Sequence, residues 1–86
     1  MRIDKYLKVS RIIKRRTVAN EACNAGRVFL NGKVAKSGNE VKIGDIIEIK
    51  YGNRVSKYKV LEVKDIIKKD DAQQMYQTLS ADIAED

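Results

Sequence analysis

The chain has 86 residues, a net charge of +6, one cysteine, and neither histidine nor proline. Domains of this size bury only roughly 60–65% of the surface their unfolded chain exposes, which supports a core but not a deep catalytic cleft with further layers behind it. Without histidine the commonest general base and zinc ligand are missing, and a lone cysteine forms neither an internal disulfide nor a thiolate cage, so no metal or cofactor is expected.

In chain order, Ile3, Tyr6 and Leu7 recur at i, i+3 and i+4, the spacing of a short amphipathic helix. Asp4 falls in its first turn, where a carboxylate suits the positive end of the helix dipole. Cations crowd between Ser10 and Arg16 and predict a turn or irregular link, after which Thr17 is placed to cap a second helix. Val18, Ala19, Ala22 and Cys23 form the apolar stripe of that helix, so Cys23 reads as a small core residue rather than a nucleophile. Gly26 closes the helix, at the position where a left-handed backbone favours glycine. Both helices are short and depend on packing.

The period then changes from helical to alternating. Arg27–Leu30 and Lys33–Ala35 flank Asn31-Gly32, a pair suited to a hairpin whose two turn residues need positive φ. After the turn at Gly44-Asp45, residues Ile46 to Tyr51 alternate, with Ile47, Ile49 and Tyr51 on one face and Glu48 and Lys50 on the other. Gly52-Asn53 marks another turn before a strand from Val55 to Val63. Its alternation slips between Val60 and Leu61, which predicts a bulge or burial on both sides. Beyond Lys68, the residues Ala72, Met75, Tyr76, Leu79 and Ile83 share one helical stripe, predicting a C-terminal helix that packs on the sheet or else meets a partner. The expected organisation is one α+β domain over residues 1–65 and a helical extension with an acidic tail over 66–86.

Positive charge is concentrated at one end. Residues 1–36 hold ten cations and two anions, a balance of +8, whereas residues 37–86 hold eight cations and ten anions, a balance of −2. Such asymmetry is the footprint of a polyanion-binding face. Arg2, Lys5 and Lys8 step along the first helix, and Arg11, Lys14, Arg15 and Arg16 continue through the link. Arg16 and Asn20 lie one turn apart on the second helix, away from its apolar stripe, and Arg27 follows its end. Phosphate neutralisation with counterion release is the mechanism these residues suit. Arg2, Arg11 and Arg16 lead the set, because a guanidinium fork grips two phosphate oxygens at once. A merely solubilising face would intersperse signs, yet the first sixteen residues set seven cations against Asp4 alone.

Folded RNA, recognised through shape, phosphates and 2′-hydroxyls, suits a short two-helix platform with few base-reading side chains. A KH module needs a G-x-x-G, which is absent, and an RRM needs strand aromatics, which are sparse. A helix-turn-helix DNA-binding regulator stays open, although Asn20, Glu21 and Asn24 are a thin inventory for base edges. An enzyme would have to rely on carboxylates, and Glu40, Glu48, Glu62 and Asp65 show no pairing pattern. No stretch approaches the ~20 apolar residues of a membrane span, and the first residues lack a signal-peptide run. A cytoplasmic location without membrane contact is therefore expected.

Arg2-Ile3-Asp4-Lys5-Tyr6-Leu7, Arg11, Lys14-Arg15-Arg16-Thr17, Gly26-Arg27-Val28, Val34 after Asn31-Gly32, and Val41-Lys42-Ile43-Gly44-Asp45 occur in that order. Together they resemble the alpha-L RNA-binding motif, the module of small-subunit ribosomal protein S-four that is also appended to tyrosyl-tRNA synthetases and pseudouridine synthases. The resemblance covers residues 1–50. It implies two short helices packed on a small twisted, mostly antiparallel sheet, with RNA held on the helical face. The implied contacts are Arg2, Lys5, Lys8, Arg11, Lys14, Arg15, Arg16 and Asn20, with Arg27 nearby. For Asp4 it implies helix capping or orientation of a neighbouring arginine, and for Gly44-Asp45 a structural turn.

Over the full chain the similarity is to small stand-alone bacterial members of that family, those of ribosome quality control more closely than the heat-shock ribosome-binding ones. This implies a monomeric, non-enzymatic factor without a small-molecule substrate. It would bind obstructed large ribosomal subunits through rRNA and peptidyl-tRNA and steady the tRNA while a partner factor tails the stalled chain. Heat-shock recycling or assembly of the large subunit would use the same face and remains the alternative.

Overall fold

The computed structural model describes residues 1–81. Ile3, Tyr6 and Leu7 are fully buried along one side of α1 (Ile3–Val9), as their spacing requires. The helix closes through Ser10, a buried hydroxyl that donates to the Leu7 carbonyl at 3.3 Å, and then Arg11 adopts a left-handed φ of 65°. Ile13 dips back into the core from the link. The second helix, α2 (Arg16–Asn24), buries Ala19, Ala22 and Cys23. Its end is a Schellman closure: Gly26, at φ 75°, donates to the Cys23 carbonyl at 3.0 Å, and the Arg27 N–H donates to the Ala22 carbonyl at 3.0 Å. At its start the structure differs from expectation. Arg15 occupies the cap position with no side-chain cap, and Thr17 lies exposed inside the first turn. The helix begins two residues earlier than expected, with Arg16 in its first turn and within reach of Asp4.

Strands β1 (Val28–Leu30) and β2 (Lys33–Val34) form the hairpin signalled by Asn31-Gly32, with φ of 53° and 87° at the two turn residues. Then follow β3 (Ile46–Tyr51), β4 (Arg54–Val60), a 3-10 helix (Lys69–Met75) and β5 (Tyr76–Ala81). The five strands pair antiparallel throughout in the order β2-β1-β3-β4-β5. Asn31 also ties the hairpin to the Gly44-Asp45 turn: its amide donates to the Asp45 carboxylate at 3.1 Å and its oxygen accepts from the Ile46 N–H at 2.9 Å. Val28, Ile47, Ile49 and Val60 form the buried side of the sheet, in one core with the helix residues and Met75.

Two expectations for the second half are corrected. The strand expected over Val55 to Val63 is β4, which stops at Val60. The slip at Val60 and Leu61 is therefore a strand end, and the irregularity in pairing lies instead between Lys57 and Tyr58, opposite β5. The C-terminal helical stripe does begin as a helix that buries Ala72 and Met75, but it is a short 3-10 helix and ends there. The Met75 carbonyl is already taken by the Tyr6 hydroxyl at 2.7 Å and by the Leu61 N–H at 2.8 Å. The chain leaves it extended, and from Tyr76 it pairs with the free edge of β4. Leu79 is consequently exposed, and Ile83 lies outside the described residues. No helix of the described residues is long and apolar enough to cross a membrane.

Candidate nucleic-acid interface

The basic surface is organised around one buried acid. Asp4 sits in the first turn of α1 with its side chain 3% exposed, while the Arg2 and Arg16 side chains beside it are 54% and 47% exposed. Arg2 donates from Nε to Asp4 Oδ1 at 3.2 Å and from Nη2 to Oδ2 at 3.3 Å. The Arg16 Nη2 and the Asn20 Nδ2 reach the same carboxylate at 3.5 Å each, and the Lys5 N–H donates to it at 2.7 Å. Asn24 in turn donates to the Asn20 side-chain oxygen at 3.0 Å. Each arginine spends only part of its donor fork on Asp4, which leaves guanidinium donors on two half-exposed side chains available to a ligand.

Burial works to raise the Asp4 pKa, but the hydrogen bonds from Arg2, Asn20 and the Lys5 N–H and the charge of Arg16 outweigh it, so the carboxyl stays below its usual range. It is ionised at neutral pH. The same charge, after burial, pushes the Cys23 thiol up, away from the thiolate a nucleophile needs.

The loop over residues 37–39 completes this site and carried no flag in the sequence. The carbonyls of Asn39 and Ser37 accept from the Ile3 N–H at 2.7 Å and the Asp4 N–H at 3.3 Å, satisfying free donors at the start of α1. Gly38 faces the Arg2 side chain: a Cβ at this position would lie 4.0 Å from the guanidinium. A Ser-Gly-Asn turn was the available signal.

The remaining candidates divide. Lys5 pairs with Asp65 at 3.3 Å, and Lys8 and Arg11 line a cleft with Asp65 and Lys69. Lys14 and Arg15 are exposed in the link. Arg27 follows the Gly26 closure at the opposite end of α2 from Arg16, and its charge is felt at Tyr51. The structure thus brings together Arg2, Arg16 and Asn20, sets Lys8 and Arg11 on an adjoining cleft, and leaves Arg27 apart. Among the described residues no group of three or more acidic or cysteine side chains is placed to hold a metal ion.

The S4 domain family model matches residues 1–47, more than half of the chain and all of this surface. The chain belongs to the S4-domain family. Similar S4-domain relatives include the RQC P-site tRNA stabilizing factor of Streptococcus pneumoniae (strain ATCC BAA-255 / R6), 56% identical over 80 residues that cover 93% of this chain and 91% of that one. The protein of the same name from Halalkalibacterium halodurans is 47% identical over 77 residues, covering 90% and 88%. The structure of Vibrio cholerae Heat Shock Protein 15, described as trimeric, matches with a TM-score of 0.82 at 30% identity and covers 91% of this chain and 80% of that one. This S4-domain chain is therefore similar to both stand-alone groups over nearly its whole length.

Proposed function

We propose that this S4-domain chain is a cytoplasmic, monomeric RNA-binding factor of the large ribosomal subunit, which it engages through rRNA and peptidyl-tRNA. The observation that carries the reading is the pair of half-exposed arginines, Arg2 and Arg16, fixed by one buried carboxylate on the face of two helices. A preoriented guanidinium loses less freedom when it grips phosphate, so the surface favours a shaped polyanion over diffuse charge. The finer role is support of C-terminal tailing on obstructed subunits, with the tRNA steadied while a partner factor extends the stalled chain. The names and extent of the relatives support this assignment. Lys5, Lys8, Arg11, Lys14, Arg15 and Asn20 extend the contact, with Arg27 at its margin. The work is binding and positioning, with no bond made or broken.

Recycling or assembly of the large subunit is the second reading, favoured by the match to Heat Shock Protein 15. Purifying the tagged protein from cells separates the two. Large subunits carrying peptidyl-tRNA together with a tailing factor are expected. Immature or empty large subunits would favour recycling or assembly, and sequence-specific duplex DNA would replace both with a DNA-binding regulator.

A further inference from the structure

Two clefts flank Arg11. One, of about 340 Å³, is lined by Lys8, Val9, Arg11, Ile66 and Lys69, with Asp65 and Ile67 completing it. The other, of about 390 Å³, is lined by Arg11, Lys69, Asp70, Gln73 and Tyr76 around Ala72. Because Arg11 and Lys69 line both, the clefts form one furrow between the end of α1 and the 3-10 helix. Its cations face each other across the chain fold: Lys8 and Arg11 come from the N-terminal segment, Lys69 from the C-terminal one. Of the two acids present, Asp65 is already held by Lys5 at 3.3 Å, which leaves Asp70 against three positive charges.

Two further features mark the furrow. Ile66 is 91% exposed at its rim, a large apolar side chain standing in water. Arg11 keeps a left-handed backbone at φ 65°, a conformation that disfavours any residue with a Cβ and that collects at functional positions. A cationic rim beside apolar surface matches the chemistry of a nucleotide, with phosphate on one side and base on the other. Each concavity is small, so it admits single nucleotides rather than the shape of a duplex.

We propose that the furrow between α1 and the 3-10 helix receives an unpaired stretch of RNA, with its phosphates on Lys8, Arg11 and Lys69 and a base against Ile66. This rests on the reading of the chain as an RNA-binding factor and gives it a second subsite, which adjoins the helical face around Asp4, shares Lys8 and Arg11 with it and adds Lys69 and Ile66. Lys69 and Ile66 lie beyond the segment matched by the S4 domain.

The test is fluorescence anisotropy on the full chain with a short labelled oligouridine and, separately, an RNA hairpin without unpaired ends. Lys69→Glu and Ile66→Ser, both at exposed positions, should each weaken oligouridine binding by about tenfold and leave hairpin affinity within about twofold. Lys33→Glu, exposed on β2, makes the same charge change elsewhere and should affect oligouridine far less. Arg16→Ala should show the opposite preference and weaken the hairpin. If Lys69→Glu does no more than Lys33→Glu, or Ile66→Ser changes nothing, the furrow is not a nucleotide site, while an Arg16→Ala effect would leave the helical face standing. If the wild-type chain binds neither RNA, the parent reading fails as well.

Discussion

Asp4 and Arg16 meet across the two helices: the Arg16 Nη2 lies 3.5 Å from Asp4 Oδ1, though the two residues are twelve positions apart in the chain. A buried acid at the centre of a basic surface lowers the total positive charge that draws RNA, so its value lies in geometry. Removing it raises net charge by one and releases two guanidiniums. Asp4→Asn should therefore bind duplex of arbitrary sequence as tightly as the wild type or more so, while affinity for large ribosomal subunits falls by about tenfold or more. Parallel titrations against both targets at one salt concentration check this. A uniform rise in both would mean that Asp4 orients nothing.

The same carboxylate links stability to pH. Its folded pKa is depressed below the usual value of 3.8, so its contribution is fully present above the unfolded value. It is lost as pH falls through the lower folded value. Asp4→Asn should cost about 1–3 kcal/mol at pH 7, and the gap to wild type should close below about pH 4. Urea unfolding of both proteins across that range measures it, and a gap that widened in acid would contradict the assignment.

Arg11 offers a separation of stability from binding. At φ 65° it bears a left-handed cost of roughly 1–2 kcal/mol that glycine avoids, against the 0.5–1 kcal/mol or so of extra chain freedom glycine brings to the unfolded state. Arg11→Gly should leave stability unchanged or raise it by up to about 1.5 kcal/mol while weakening RNA binding. Thermal melts and RNA titrations on one preparation would show both effects.

Tyr6 joins the first helix to the end of the 3-10 helix. Its buried hydroxyl donates to the Met75 carbonyl at 2.7 Å, and burial raises its pKa further above the physiological range. The carbonyl also accepts from the Leu61 and Glu62 N–H groups, so Tyr6→Phe leaves no orphan acceptor. The expected cost is one net hydrogen bond, about 1 kcal/mol. It should appear as a lower urea midpoint at unchanged slope.

Much of this was legible in the chain because local rules and packing agreed. The Asn31-Gly32 hairpin, the Gly26 closure and the alternation of Ile47 and Ile49 each rest on a few neighbouring residues. The C-terminal stripe misled because Ala72 and Met75 fit a helix, yet the edge of β4 and the claims on the Met75 carbonyl are contributed by distant segments. Arg2, Arg16 and Asn20 were readable as one surface from spacing. That Asp4 gathers them, that the loop over residues 37–39 seats the helix start, and that Lys8 and Arg11 turn toward Lys69 are facts of tertiary placement. Periodicity carries no information about them.

If guanidiniums on the two-helix face hold the chain to ribosomal RNA, loss of Arg16 should release it from large subunits. Co-sedimentation of wild type and Arg16→Ala with purified large subunits at physiological salt, with circular dichroism to establish folding, tests it most directly. A folded variant should leave the subunit fraction. Retention of folded Arg16→Ala at wild-type levels would contradict the account.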